Sequence, residues 1–338
     1  MSNQITRTAV IGAGYMGGGI AQTLAIAGFA VTIADANADA AHQALARLIA
    51  EAHQFEDQGL YQVGSAALVE KNIGAADSIE EAVADAQFIE EAVFEQPDVK
   101  KSVLARISKA ARPDAIIGTN TSTIPVHVLV PAVTGPERFL TVHFSNPAPF
   151  IPGVELVAGE ATTAQAVTTV KEILAACGRQ GAQVADTPGM VLNRLQYVLL
   201  KEACSIVEEG IATPEDVDTI VRTTFGFRLG FFGPFAIADQ AGLDVYVDCF
   251  KTFEQAFGKR LATPEVLSRA VDEGRLGVKN GHGLMGDFDE ESKAALIAYR
   301  NRAYARMLGL VHDLGPAPAG AAPEERAGAI PTAEPQHA

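Results

Sequence analysis

Apolar positions in the first half of the chain alternate between two patterns. Short runs at Thr8–Ile11, Val31–Asp35, Gln87–Glu91, Ala115–Gly118, Phe139–Val142 and Val154–Val157 read as buried strands. Many are separated by stretches of helical period: Gly17–Ala27, Ala38–Glu56, Val99–Ala111 and Thr163–Cys177. Strands spaced by helices of this length predict βαβ units around a largely parallel, doubly wound sheet, an α/β fold. Beyond about residue 186 the strand pattern stops. Asp186-Thr187-Pro188-Gly189 offers a polar cap and a proline near a first helical position, and the helical run Met190–Glu209 follows. Pro214–Thr224, Leu243–Phe257, Pro264–Asp272 and Glu290–His312 keep the same period. The pattern predicts an α/β domain over residues 1–185 and an all-α domain over residues 186–315. The last 23 residues, Pro316–Ala338, hold five prolines and little apolar periodicity, so a disordered tail is expected there.

The length of 338 residues gives each domain room for its own core. Asp and Glu total 41 against 26 for Lys and Arg, a formal net charge of −15. That balance argues against a nucleic-acid partner, which requires a basic face. No apolar run approaches the roughly 18 residues of a membrane-spanning helix. The first residues run into a strand without a signal peptide's apolar stretch, so a cytoplasmic protein is expected. Cys177, Cys204 and Cys249 lie far apart with no CxxC, which fits a reducing compartment and buried thiols.

Gly12-Ala13-Gly14-Tyr15-Met16-Gly17 is a G-x-G-x-x-G set between a strand and a helix. Gly12 would make the tight turn, Gly14 would admit a pyrophosphate, and Gly17 would let helix and strand pack closely. Asp35 ends the second strand, 23 residues after Gly12, where a carboxylate can hold ribose hydroxyls and repel the extra phosphate of NADP. Gly12, Gly14, Tyr15, Met16, Gly17 and Asp35 are therefore candidate NAD contacts.

Removing hydride from an alcohol requires a group to take the hydroxyl proton, and histidine suits that task near neutral pH. Of the seven histidines, His143 ends a predicted strand at the carboxyl edge, where α/β proteins bind ligands. Glu155 follows twelve residues later in another short strand. A His–Glu pair can fix a tautomer and stabilise an imidazolium, though a structural pair would read the same way at this point.

The chain resembles the L-3-hydroxyacyl-CoA dehydrogenase family from about Thr8 to Met285. The likeness is carried by Gly12–Gln22, Glu91–Glu95, Asn120–Ser122, His143–Pro147, Asp186–Leu195 and Gly233-Pro234-Phe235. It implies a Rossmann domain joined to a helical one, NAD as cofactor and no metal. It also implies His143 as general base in oxidation, Glu155 as its partner, Ser122 on the reacting oxygen, and Asn193 completing the cluster. Glu95, Lys100, Asn146 and Lys279 match positions that contact the ribose or nicotinamide end of NAD. Family members pair through the helical domain, so a homodimer is expected. Five of the sixteen Phe residues fall between Phe225 and Phe235, a density that suits a core or such an interface.

The resemblance is uneven where CoA would bind. CoA-using relatives carry a lysine-rich hairpin after the second strand, whereas residues 46–80 hold Arg47 and Lys71 against six carboxylates. Counted without gaps from Asp35, the family's Ser and Lys contacts to CoA fall on Glu51 and Gln58. The Met-Lys pair that precedes Val-Glu in CoA enzymes is replaced by Phe150-Ile151-Pro152-Gly153 ahead of Val154-Glu155. These departures point to the branch that uses free hydroxy acids, the lambda-crystallin and L-gulonate 3-dehydrogenase type. The expected substrate is a small free 3-hydroxy acid. The alternatives are a 3-hydroxyacyl-CoA thioester, as in fatty acid metabolism, or a non-catalytic NAD-binding structural role.

Overall fold

In the computed structural model, residues 5–315 and 317 are described, so the expected tail over 316–338 lies almost wholly outside them. The chain divides into two compact units, the first ending at Leu199 and the second starting at Leu200.

The first unit is built on one eight-stranded sheet: β1 (Arg7–Ile11), β2 (Ala30–Ala34), β3 (Ile73–Ala75), β4 (Phe88–Glu91), β5 (Ile116–Thr119), β6 (Phe139–Phe144), β7 (Gly153–Ala158) and β8 (Gln180–Val184). Their order across the sheet is β3-β2-β1-β4-β5-β6-β7-β8, and every pairing is parallel except β6 with β7. This is the doubly wound order, reversing direction beside β1, where such sheets bind ligands at their carboxyl ends.

Helices α1 (Tyr15–Ile26), α2 (Ala38–Asp57), α3 (Ser65–Asn72), α4 (Ile79–Val83), α5 (Pro97–Ala110), α6 (Val126–Leu129) and α7 (Ala164–Ala176) complete this unit, with the start of α8 (Leu192–Glu208). Alternation along the strands sends side chains to two cores. Val10, Ile33, Phe88, Ile116, Val142 and Leu156 pack with Ile20 and Leu24 of α1, Leu48 of α2 and Val170 of α7. Ile11, Ile89, Ile117, Phe139 and Val157 face the other way, with Val83 of α4, Leu104 of α5 and Leu129 of α6.

Asp186 does not cap α8, as the sequence pattern suggested. Its carboxylate accepts the Val126 and His127 N–H groups at 2.8 and 3.0 Å and meets the His127 ring at 2.8 Å. It therefore closes the start of α6, and Pro188 precedes the helix by four residues because a turn at Gly189 and Met190 intervenes.

The second unit holds the rest of α8 with α9 (Pro214–Thr223), α10 (Phe225–Leu229), α11 (Pro234–Ala241), α12 (Leu243–Phe257), α13 (Glu265–Asp272) and α14 (Glu290–Leu314). Here the phenylalanine cluster is part core and part surface. Phe232 is buried edge-on against Tyr299 and Tyr304, whereas Phe235 is exposed. The expectation of buried thiols fails at two of three positions: Cys204 and Cys249, on α8 and α12, are exposed. Cys177, at the end of α7, is mostly covered, and burial pushes its thiol up to about 12. No helix of the described residues is long and apolar enough to cross a membrane.

Candidate active site

The glycine loop leaves β1 and enters α1 at the sheet's carboxyl edge. Gly12 has φ of 93°, and a Cβ there would sit 2.7 Å from the Ala92 carbonyl oxygen. A Cβ on Gly17 would run into the Gly12 carbonyl oxygen, so helix and loop touch backbone to backbone. Gly14 is the opposite case: it is exposed, and nothing lies within 4 Å of where its Cβ would be. It caps α1 without a side-chain bond, and the first turn carries no acidic residue. A helix N-terminus opening beside an exposed glycine is an arrangement suited to a pyrophosphate. Asp35 Oδ2 accepts the Ala13 N–H at 2.8 Å and Oδ1 the Ala36 N–H at 2.7 Å, which holds the half-buried carboxylate beside the loop. The residues present fit a dinucleotide: an open glycine at a helix N-terminus and a fixed acid at the ribose position. Tyr15 and Met16 begin α1 with Tyr15 exposed.

The His–Glu pair comes from the single antiparallel junction of the sheet, where His143 of β6 lies directly opposite Glu155 of β7. Both are nine-tenths buried, with His143 Nδ1 2.9 Å from Glu155 Oε2. That leaves Nε2 as the ring nitrogen without a partner among the described residues. Glu155 Oε1 accepts the Val191 and Leu192 N–H groups, each at 2.9 Å, from the turn leading into α8. Gly189 (φ 73°) and Met190 (φ 47°) bend the chain so that these amides aim at the carboxylate. Met190 accepts that left-handed backbone while its side chain is buried in the core.

Asn193, one residue into α8, donates from Nδ2 to the Ser122 carbonyl at 3.1 Å. Asn120 Oδ1 accepts the Phe144 N–H at 2.9 Å, tying the β5 exit to the residue after His143. A cleft of about 300 Å³ is bordered by Met16, Glu95, Asn120, Ser122, His143 and Asn146. The structure thus gathers Ser122, His143, Glu155 and Asn193 with the glycine loop, all within the first unit.

Lys100, expected at the nicotinamide or ribose end of NAD, is enclosed beside the cleft. It has no exposed surface; its ammonium meets Glu91 Oε1 at 2.9 Å, the Val93 carbonyl at 3.3 Å and Glu95 Oε2 at 3.6 Å. Glu91 in turn accepts the Thr119 hydroxyl at 2.5 Å and the Val93 N–H at 2.7 Å. Glu95 reaches the cleft, but its Oε1 is committed to residues 121–123. Burial works to raise the Glu95 carboxyl. The Thr121 hydroxyl, Lys100 and the Thr123 and Ser122 N–H groups outweigh it and hold the group below the usual carboxylate range. Lys279 lies in the second unit, paired with Asp244.

Several contributors have no role assigned by the sequence pattern: Asn120 and Thr121, which lie in a segment carrying the resemblance, Thr123, and the Val191 and Leu192 amides. Their signal is modest. Asn120-Thr121-Ser122-Thr123 is a run of four polar residues after a buried strand, but amide donors leave no trace in side-chain pattern. Among the described residues, no group of three or more His, Cys, Asp and Glu is arranged to hold a metal ion.

A doubly wound sheet with an open glycine loop and an acid ending β2 defines a dinucleotide-binding protein. Comparison with known proteins is specific. Residues 7–187 match the 3-hydroxyacyl-CoA dehydrogenase NAD-binding domain, and residues 189–286 match the same family's C-terminal domain. The chain belongs to the 3-hydroxyacyl-CoA dehydrogenase family of NAD-dependent enzymes. It is 33% identical over 294 residues to a 5-formyl-3-hydroxy-2-methylpyridine 4-carboxylate 5-dehydrogenase of Mesorhizobium japonicum, covering 86% of this chain and 93% of that one. It is 31% identical to a probable 3-hydroxybutyryl-CoA dehydrogenase of Bacillus subtilis, covering 86% and 99%. Among solved structures, a 3-hydroxyacyl-CoA dehydrogenase from Archaeoglobus fulgidus matches with a TM-score of 0.74 at 29% identity, covering 92% of this chain and 99% of that one.

Proposed function

We propose that the protein interconverts the 3-hydroxy and 3-oxo forms of a small free acid, with His143 as the acid–base group. The observation that carries this reading is the buried His143–Glu155 pair bordering the cleft beside the glycine loop. In oxidation His143 Nε2 takes the hydroxyl proton, and Glu155 holds the ring's tautomer and the imidazolium that forms. The Val191 and Leu192 amides on Glu155 Oε1 keep that carboxylate from turning away. Ser122 donates to the reacting oxygen, and Asn193 steadies the Ser122 backbone. Gly14, the first-turn amides and Asp35 would hold NAD, which accepts the hydride when bound. Asn146 is a further candidate at its nicotinamide end. The reverse reduction uses the same groups with the proton returned.

Two features favour a free acid over a CoA thioester. On the α2–α3 hairpin, Arg47 is occupied by the Ala13 carbonyl and Glu51 at 2.7 and 2.8 Å, and His42 and His53 face Asp77 and Glu70. Lys71 is then the one formal cation of residues 46–80 left to meet CoA phosphates. Phe150, in the uncharged run that replaces the Met-Lys pair of CoA enzymes, packs edge-on against Phe55 and tilted against Tyr61, at 5.4 and 5.9 Å between centroids. A relative named for a pyridine carboxylate substrate supports the same side. The alternative, a 3-hydroxybutyryl-CoA dehydrogenase, is supported by the relatives of that name.

Incubation with NAD and a panel of free hydroxy acids and hydroxyacyl-CoAs, followed by NADH absorbance, tests the reading. Turnover restricted to CoA esters reverses the substrate preference. No turnover by folded, NADH-binding protein favours a structural role instead. We further propose a helical substrate and dimerisation domain over residues 186–315 and a homodimer, supported by exposed Tyr197, Leu200, Leu308 and Leu314. Sedimentation at the mass of one chain refutes the dimer. A cytoplasmic location, supported by three unpaired cysteines, is checked by fractionation.

A further inference from the structure

We propose that Glu95 is a positioning residue for Ser122, setting where its hydroxyl meets the reacting oxygen. The inference rests on the role of Ser122 given under the proposed function and adds a second function for a carboxylate expected only to touch the cofactor.

The geometry lies in one oxygen. Glu95 Oε1 accepts the Thr121 hydroxyl at 2.6 Å, the Ser122 N–H at 2.9 Å, the Thr123 N–H at 3.0 Å and the Thr123 hydroxyl at 3.1 Å. The Ser122 hydroxyl comes fifth, at 3.4 Å. A carboxylate oxygen cannot serve five donors equally, because its lone pairs are fewer than the donors. The two amides and the short Thr121 bond fix the backbone, while the long bond from Ser122 Oγ is the one most readily exchanged. Ser122 is therefore held by its main chain and released at its hydroxyl, the combination required of a group that must turn to a substrate oxygen. The Asn193 amide on the Ser122 carbonyl adds a second main-chain anchor.

The other side of the carboxylate explains its own fixity. Glu95 Oε2 faces the enclosed Lys100 ammonium, which is bound to Glu91, and Glu91 holds the Thr119 hydroxyl at the end of β5. Both ends of the segment 119–123 thus hang on one buried lysine. Between them, Asn120 grips the amide of Phe144, next to His143. Charge on Glu95 matters here, because an amide in its place would present donors to donors. Thr121 supplies an internal control, since it is fully buried and does not border the cleft.

The test is a double-mutant cycle on the full chain with S122A, E95Q and T121V, measuring kcat, NADH affinity by fluorescence, and amide exchange at residues 121–124. E95Q and T121V should each lower kcat, on the order of ten- to a hundredfold for E95Q. NADH affinity of T121V should stay within about threefold of wild type, and amides 122 and 123 should exchange about tenfold faster in both variants. Adding E95Q to S122A should lower kcat no further than S122A alone. Multiplied losses in the double variant, with S122A itself impaired, overturn the inference and leave the function standing. So does an E95Q whose loss appears in NADH affinity alone with unchanged amide exchange. An S122A enzyme with full kcat overturns both this inference and the role given to Ser122.

Discussion

Glu90 offers a stability experiment whose magnitude follows from its position. Its carboxyl lies in β4, fully buried, with neither oxygen hydrogen-bonded. It occupies the gap left because Gly118, its register partner on β5, has no side chain. Desolvation raises this group well above the usual carboxylate range, the neighbouring Glu91 adds to the rise, and Lys100 opposes it. The folded state therefore keeps a proton that the unfolded chain releases near pH 4.3. With one proton more on the folded side, stability falls as pH rises, by about 1.4 kcal/mol per unit, until the folded group itself ionises. Each such unit is a sizeable share of the roughly 5–15 kcal/mol of an ordinary domain. E90Q keeps the shape and removes the titration. Urea unfolding followed by far-UV circular dichroism at several pH values should show wild type losing stability against E90Q at that slope. Parallel curves for the two proteins across those pH values refute a neutral Glu90.

Three other outcomes follow from named contacts. G12A combines a strained φ with an approach to the Ala92 carbonyl; it should cost about 1–3 kcal/mol in thermal or chemical unfolding and abolish NADH fluorescence binding. E155Q should lower kcat by about a hundredfold or more while leaving NADH affinity near wild type, since the carboxylate meets the imidazole rather than the glycine loop; an unchanged kcat removes Glu155 from the chemistry. Cys177, its thiol pushed up to about 12 by burial, should resist alkylation at neutral pH in the native protein and react on unfolding, as peptide mapping would show.

The interior of the sheet is legible in sequence for a physical reason. β1, β4, β5 and β6 have neighbours on both sides and feed both cores, so they are built around buried apolar residues, with Glu90 and Glu91 of β4 and His143 of β6 standing out. The strands that leave no such signal, β3 and β8, are the two edges. β3 is three residues long, and β8 reads Gln-Gly-Ala-Gln-Val with much of its surface exposed, so neither requires an apolar run. The same contrast holds in the site. His143 and Glu155 announce themselves as polar residues on strands that should be apolar, whereas the placement of Glu95 depends on donors from residues 121–123, mostly backbone amides and hydroxyls that any loop contains. Asp186 misleads because its cap is spent on a helix sixty residues earlier, a pairing invisible to local pattern.

The direct opposition of His143 and Glu155 across β6 and β7 has a consequence for how this site can change. Their distance belongs to the strand ladder, and the residues between them, 145–152, form an excursion outside it. That excursion can be lengthened, shortened or recomposed without moving either group, provided the ladder keeps its pairing. A slip of one residue would turn a partner to the opposite face. The acid–base pair is thereby separable from the composition of the excursion: exchanging 147–152 between relatives should leave the His143–Glu155 distance in place.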